Sequence, residues 1–410
     1  MNNNVSKVRA AFLLLCAEVL LSTSTARAAD NTNNPAISVI FDGTYSYYSE
    51  GAVEEIPGFV LGPHSEQSPE GFSIGHTELD FSGNIDSNFY GSLTAAIHQD
   101  AGGFELELEE AYVSTLGLPY GAKVKMGRFF STIGYLNTIH AHAWDFTDEP
   151  LAYRLILGHE YADDGLQLSI VLPTDLYTEF GVEFLQGLPY PGGTTTNNIG
   201  AYEGYARVGG DIGHSNSWLA GVSYWQANNI TREPVAHAHG GHEEEAEPGV
   251  EFTGDSQISG LMGVYQWAPH GNRSARSLRL QAEYFYREDN GNGEIEEADP
   301  SVEGTLLGKY KAWYAQAVYQ FMPRWRAGLR YSTADSNNQS DNPAFLVDAE
   351  LDANNFSPSV ATSMIDWSPS EFSRIRLQYQ HYDYSPGADP DKQLFLQYIY
   401  SLGAHKAHSF

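Results

Sequence analysis

The chain of 410 residues contains one cysteine, Cys16, few basic residues, and no long apolar run beyond its first thirty positions. A lone thiol excludes an intramolecular disulfide and a thiolate metal cluster. Twenty-two Lys and Arg against 52 Asp and Glu give a formal charge of −30. A nucleic-acid partner is thereby excluded, because phosphate binding needs a basic surface. The missing apolar run excludes helical spans beyond the first thirty residues, since each would need about 20 consecutive apolar residues. Charged residues make up only 18% of the chain, while 26 Tyr outnumber Lys and Arg together. That balance is unusual for a soluble enzyme. A closed β-barrel remains compatible with it, because such a barrel hides its hydrophobicity in alternate residues and averages out as polar.

Residues 1–28 read as a secretory signal. Lys7 and Arg9 precede a short apolar core interrupted by Glu18, and Ala26-Arg27-Ala28 supplies an A-x-A cleavage site. Cleavage removes Cys16 and more basic than acidic residues, so the exported chain is more acidic than the precursor. Residues 29–410 read as a single domain.

Downstream the dominant pattern is period two over about ten residues, bounded by Gly, Pro, Asn, Asp and Ser. Leu278, Leu280, Ala282, Tyr284 and Tyr286 alternate with Arg279, Gln281, Glu283 and Arg287. The pattern predicts sixteen strands, at 37–48, 71–84, 88–99, 105–115, 122–129, 163–172, 176–187, 199–213, 217–227, 256–268, 276–288, 309–322, 325–334, 357–367, 372–384 and 392–402. Connection length sorts by parity. Seven predicted turns are short, whereas 49–70, 130–162, 188–198, 228–255, 289–308 and 335–356 on the other side are long and only 100–104 and 385–391 there are brief. Outer-membrane barrels combine short periplasmic turns with longer outer loops; a soluble sandwich has no reason to do so. Aromatic strand ends (Tyr45, Tyr47, Tyr48; Tyr284, Phe285, Tyr286; Trp313, Tyr314; Tyr398, Tyr400) suit girdles at two membrane interfaces.

The last strand is followed by a short tail ending on Phe410, similar to the assembly signal of bacterial outer-membrane proteins. With the export signal, the sixteen strands and the long third outer loop, the chain resembles the Gram-negative general and phosphate-selective porins. The segment 126–135 (MGRFFSTIGY) with 145–150 (DFTDEP) looks like the place where the fifth strand of that group enters its constriction loop. The resemblance implies an all-β transmembrane antiparallel barrel with a constriction loop between strands 5 and 6. It further implies passive diffusion of small hydrophilic solutes or ions, embedding in outer-membrane lipid, folding by the barrel-assembly machinery, and a homotrimer. The His-rich stretches look more like a zinc-linked subgroup of outer-membrane proteins.

A sixteen-stranded barrel leaves an aqueous lumen. The alternation puts Arg207, Arg279, Arg287, Lys311, Arg326, Arg330, Arg374 and Arg376 on its inner wall. The loop 130–162 brings Asp145, Asp148, Glu149 and Glu160, with Asp163 and Asp164 just beyond. If the loop folds inwards, acid faces base across the constriction and creates a transverse field. The alternative reading is wall charge paired with carboxylates that keep the lumen hydrated. Glu105, Glu107 and Glu109 on one strand and Glu179 and Glu183 on another make a second, acidic wall, which leaves the sign of selectivity open.

His237, His239 and His242, with Glu243 beside them, can offer nitrogen and oxygen ligands to Zn²⁺, Cu²⁺ or Ni²⁺ from the outer loop 228–255. His140 and His142 lie within the constriction loop and either relay a metal ion or make local hydrogen bonds; His405 and His408 lie too far off to join. Diffusion itself requires no cofactor. Two other functions compete: a metal-capturing or adhesive barrel without open conductance, and an outer-membrane hydrolase. The second has little behind it, because His76 and His98 have no Ser-His-acid set, the one G-x-S-x-G match (71–75, GFSIG) falls in a predicted strand and not at a strand-to-helix elbow, and H-E-x-x-H is absent.

Overall fold

The structure is a computed structural model that describes residues 35–403 except 54, 64, 66, 101–102, 234–249 and 296–300. The signal segment, the candidate ligands His237, His239, His242 and Glu243, and the terminal Phe410 lie outside the described residues. No helix among the described residues is long and apolar enough to cross a membrane.

The chain is an antiparallel barrel. Its strands are β1 (Ala36–Tyr48), β2 (Gly71–Ile74), β3 (Thr77–Asn84), β4 (Phe89–Asp100), β5 (Gly103–Thr115), β6 (Ala122–Phe130), β7 (Ala162–Val171), β8 (Tyr177–Leu185) and β9 (Ala201–Ile212). They continue as β10 (Asn216–Arg232), β11 (Glu251–Trp267), β12 (Ser277–Ile295), β13 (Val302–Met322), β14 (Trp325–Gln339), β15 (Ser359–Ser370), β16 (Ser373–Asp383) and β17 (Asp391–Gly403). β2 and β3 both pair with β1 and form two halves of one stave, so the barrel has sixteen. β17 pairs with β1 from Ser38↔Gly403 to Tyr48↔Gln393, which closes the sheet into a barrel.

Alternation sets the two surfaces. Leu261, Leu280, Leu329, Leu377 and Leu396 are all exposed on the outside, as a lipid-facing belt requires, while their neighbours in sequence point inwards and are buried or, at Arg279, partly buried. The phase expected for the basic wall is the one observed for Arg207, Arg279, Arg287, Arg326, Arg330, Arg374 and Arg376. Lys311 is a correction: it stands on the outer face of β13, between the inward Tyr310 and Ala312. β13 carries aromatic and small apolar residues on both faces, so its hydrophobic pattern has no unique phase. Tyr48, Phe285 and Tyr314 likewise face inwards and do not belong to a girdle.

The strands β10 to β14 run further than expected. The segment expected as a loop at 289–308 is mostly ladder, paired from Asp289↔Gly308 to Ile295↔Val302. Asn290, Gly291, Asn292 and Thr305 give no alternation to read, yet their backbone groups pair as well as any others.

The inside of this longer end is not simply wet. Phe285, Tyr310, Tyr314 and Trp225 from the wall pack with Phe345 from the short helix Pro343–Asp348, with Val53, Ile56 and Phe59 from the first long connection and with Trp144, Leu151 and Ile156 from the segment 131–161. The short helix Leu151–Ile156 is buried on all sides, and its one charged residue, Arg154, donates to the carbonyls of Ser65 and Val53.

Candidate functional site in the barrel lumen

The segment 131–161 leaves β6, folds into the lumen and returns to β7. Asn137 ties its ends together. The Asn137 amide nitrogen donates to the carbonyls of Ser131 (2.8 Å) and Tyr161 (2.9 Å), and its Oδ1 accepts from the Tyr161 backbone N–H at 2.7 Å. Glu283 from β12 accepts the backbone N–H groups of Tyr135 (2.6 Å) and Leu136 (3.1 Å) and the hydroxyls of Tyr153 and Tyr314. These backbone groups have no partner within a regular element, so a wall carboxylate satisfies them.

From that frame the loop reaches both walls. On one side, Asp145 lies 2.7 Å from Arg326 and 3.4 Å from Arg279, and Arg326 also binds Asp366 at 2.6 Å. Asp148 accepts from Arg330 (2.7 Å), Gln378 (2.7 Å) and Gln380 (2.6 Å). Arg374 donates to the carbonyl of His142 at 2.6 Å, Arg376 to that of Trp144 at 2.8 Å, and Arg207 to that of Gly134 at 2.8 Å. These six arginines all touch the loop, and Arg287 reaches it too, donating to the carbonyl of Ile156 at 3.1 Å. Asp145 is fully enclosed; burial opposes its charge, but Arg326 and Arg279 prevail and hold its carboxyl below the usual range. Acid and base are in direct contact here, and no aqueous gap separates them.

Glu149 does not join this stripe. It pairs with His159 at 3.4 Å, and His159 also lies 3.7 Å from Glu160. Burial works against the charge of His159, but the Glu149 carboxylate beside it outweighs burial and pushes its pKa up to about 9. Glu149 is drawn down to about 2, burial again opposing and the imidazolium prevailing.

On the other side stand Glu78, Glu109 and Glu110 from β3 and β5. Nδ1 of His142 is hydrogen-bonded to the Glu78 carboxylate at 2.6 Å, and His140 lies 3.1 Å from Glu110 and 3.4 Å from both Glu78 and Glu109. His76 is hydrogen-bonded to Glu109. Simple alternation gives Glu105, Glu107 and Glu109 one face and Glu110 the other. The structure departs from it: register slips between Thr94 and Ala95 of β4, so β5 bulges at Glu109 and both Glu109 and Glu110 turn inwards. Nothing in the local pattern of β5 announces the bulge. Glu78, His76 and Glu110 are the site residues that sequence reasoning did not bring together, because their meeting depends on two strands and a loop.

The fold and the strung constriction loop define a porin-type barrel. The outer-membrane channel DcaP of Acinetobacter baumannii matches 90% of this chain over 97% of its own, at TM-score 0.55 and 15% identity. OprB of Pseudomonas putida matches 90% of this chain over 94% of its own, at TM-score 0.51 and 12% identity. The trimer form of OmpT, an outer-membrane protein of Vibrio cholerae, matches 90% over 99% at TM-score 0.53 and 9% identity. No family model matches the sequence. At the level of sequence the chain belongs to the same family as an uncharacterized protein of Aquifex aeolicus, 32% identical over 404 residues that span 92% of this chain and 80% of the relative.

Proposed function

We propose that the mature chain is an outer-membrane porin. It is exported through a cleaved signal peptide, inserted by the barrel-assembly machinery, and forms a water-filled channel for passive diffusion of small hydrophilic solutes or ions, with a link to divalent-metal uptake. The observation that carries this reading is the loop 131–161, suspended inside the lumen between a wall of arginines and a wall of carboxylates. A barrel built only as an anchor has no need of opposed charge at mid-lumen. Fixed charges in a confined space select among solutes by charge and size, and no cofactor or bond-breaking step is needed.

The metal link rests on the imidazoles: His140 and His142 in the loop, and His237, His239 and His242 with Glu243, which lie outside the described residues. A homotrimer is part of the proposal. Residues 103–110 of β5 pair with β4 alone among the described residues, and Phe104 and Leu106 there are each 67% exposed. Such an edge wants a neighbour.

The discriminating experiment replaces Arg326 and Arg330 together by Ala and measures reversal potentials in asymmetric KCl. Loss of two positive charges shifts permeability towards K⁺ by roughly threefold or more, on the scale of one lumenal charge interaction of about 1 kcal/mol. Unchanged selectivity contradicts solute guidance by this wall. One observation favours the second reading, a barrel without open conductance: the apolar packing of Trp144, Leu151 and Phe59 inside the wall. Planar-bilayer recording separates the two.

A further inference from the structure

Two irregularities of the barrel wall fall at one place. The stave formed by β2 and β3 is interrupted at Gly75-His76, with Ser73 buried before the break and Glu78 after it, so alternation slips by one residue. Across from it, the bulge in β5 turns Glu109 and Glu110 inwards together. The loop then lowers His140 and His142 onto the same spot. Bulges and strand breaks re-aim side chains next to functional sites.

Nδ1 of His140 stands from two carboxylates at the spacing of neighbouring ligands. Nδ1 of His140 is 3.4 Å from Oε2 of Glu78 and 3.4 Å from Oε2 of Glu109. Bonds of about 2.0–2.2 Å to a tetrahedral ion place neighbouring donors about 3.3–3.5 Å apart. One donor atom each from His76, Glu78 and Glu109 also lies within 4.8 Å of the others. Glu78 and Glu109 are 1% and 3% exposed, and among the described residues neither Oε2 of Glu109 nor Nδ1 of His140, both buried, has a hydrogen-bond partner. Two facing polar atoms left in that state are costly unless something sits between them. The outer partners fit as well: Glu110 binds the far nitrogen of His140 at 3.1 Å, and His142 binds the other oxygen of Glu78 at 2.6 Å. A carboxylate behind a ligating imidazole fixes its tautomer and orientation.

We propose that Glu78, Glu109 and His140, with His76 as a fourth donor, form a binding site for a first-row divalent transition cation in the lumen. The mixed nitrogen and oxygen set favours Zn²⁺, Co²⁺, Ni²⁺ or Cu²⁺ over the all-oxygen preference of Ca²⁺ and Mg²⁺. Its role as a station on a permeation route rests on the channel reading above; its ligands do not. Binding displaces protons from the imidazoles and so weakens as pH falls.

The test uses the whole mature barrel with His237, His239 and His242 replaced by Ala, which removes the competing donors. Co²⁺ is titrated and its visible absorption followed, then Zn²⁺ is added. One equivalent of Co²⁺ with a tetrahedral-type spectrum, displaced by Zn²⁺, is expected. Glu109→Gln or Glu78→Gln, each introduced separately, weakens binding at least tenfold, and either variant alone decides should the other fail to fold. No cobalt spectrum in a folded triple-Ala barrel, or a titration unaffected by the Gln variants, overturns the site. KCl conductance of the same preparation is read in parallel. Conductance without cobalt binding removes the site and leaves the channel; cobalt binding without conductance removes the channel and leaves the site.

Discussion

Asp145 is the residue on which the basic wall converges. Its oxygens face Arg326 and Arg279, and its backbone neighbours receive Arg374 and Arg376. Asp145→Asn keeps the shape but releases one negative charge among four guanidinium groups. The expected result is a shift of permeability towards Cl⁻ by roughly threefold, read as a reversal potential. Asn137 acts differently, through neutral hydrogen bonds to both ends of the loop. Asn137→Ala strands the buried Ser131 and Tyr161 backbone groups at a cost of about 2–4 kcal/mol. Its signature is noisier single-channel current and faster proteolysis within 131–161, with the barrel itself intact. The inward placement of the arginines is legible in the sequence because parity along a strand fixes the face a side chain takes. Lys311 was misread because Tyr310, Ala312 and Tyr314 on one face and Trp313 on the other make both faces of β13 apolar. Glu110 was unreadable because its direction is set by the register of β4.

At the scale of elements, the loop 131–161 is held by pairs that titrate differently. The His159 and Glu149 pair sits near its return to β7. The pKa of His159 is raised to about 9, so its stabilisation is complete below its ordinary value near 6.5 and is lost as pH rises through about 9. Glu149 is depressed to about 2, so its share is complete above about 4.5 and is lost as pH falls through about 2. The attachment is thus strongest between about 4.5 and 6.5 and fades towards 9. Gating transitions per second in a bilayer therefore rise from pH 6 to pH 10, and His159→Asn flattens that rise; an equally steep rise in the variant contradicts the assignment. β5 and β6 present a second case. They share only the pairs Ala111↔Arg128 to Ser114↔Lys125, and Gly127 lies at their centre with φ +124°. A Cβ there meets the carbonyl oxygen of Ala111 at 2.2 Å. Gly127→Ala is expected to destabilise the barrel by about 2 kcal/mol or more, seen as a lower temperature of conversion between folded and unfolded electrophoretic forms.

For the whole molecule, the sixteen staves and the inward third loop were accessible from alternation and loop parity, since lipid outside and a filled lumen inside impose period two on nearly every strand. The lengths of β10 to β14 were not, because a strand that clears the bilayer needs backbone pairing but no apolar face. The acidity of −30 also changes meaning at this scale. Part of it is paired inside, with arginines on one wall, while the carboxylates of the other wall meet imidazoles that the loop carries. The account stands on a continuous aqueous path remaining between these walls. Reconstitution of the folded mature barrel into a planar bilayer tests it most directly: stepwise, ohmic current increments in KCl, with selectivity altered by Arg326→Ala and Arg330→Ala together, are the predicted result. Folded, inserted barrels that carry no current at any voltage would contradict it.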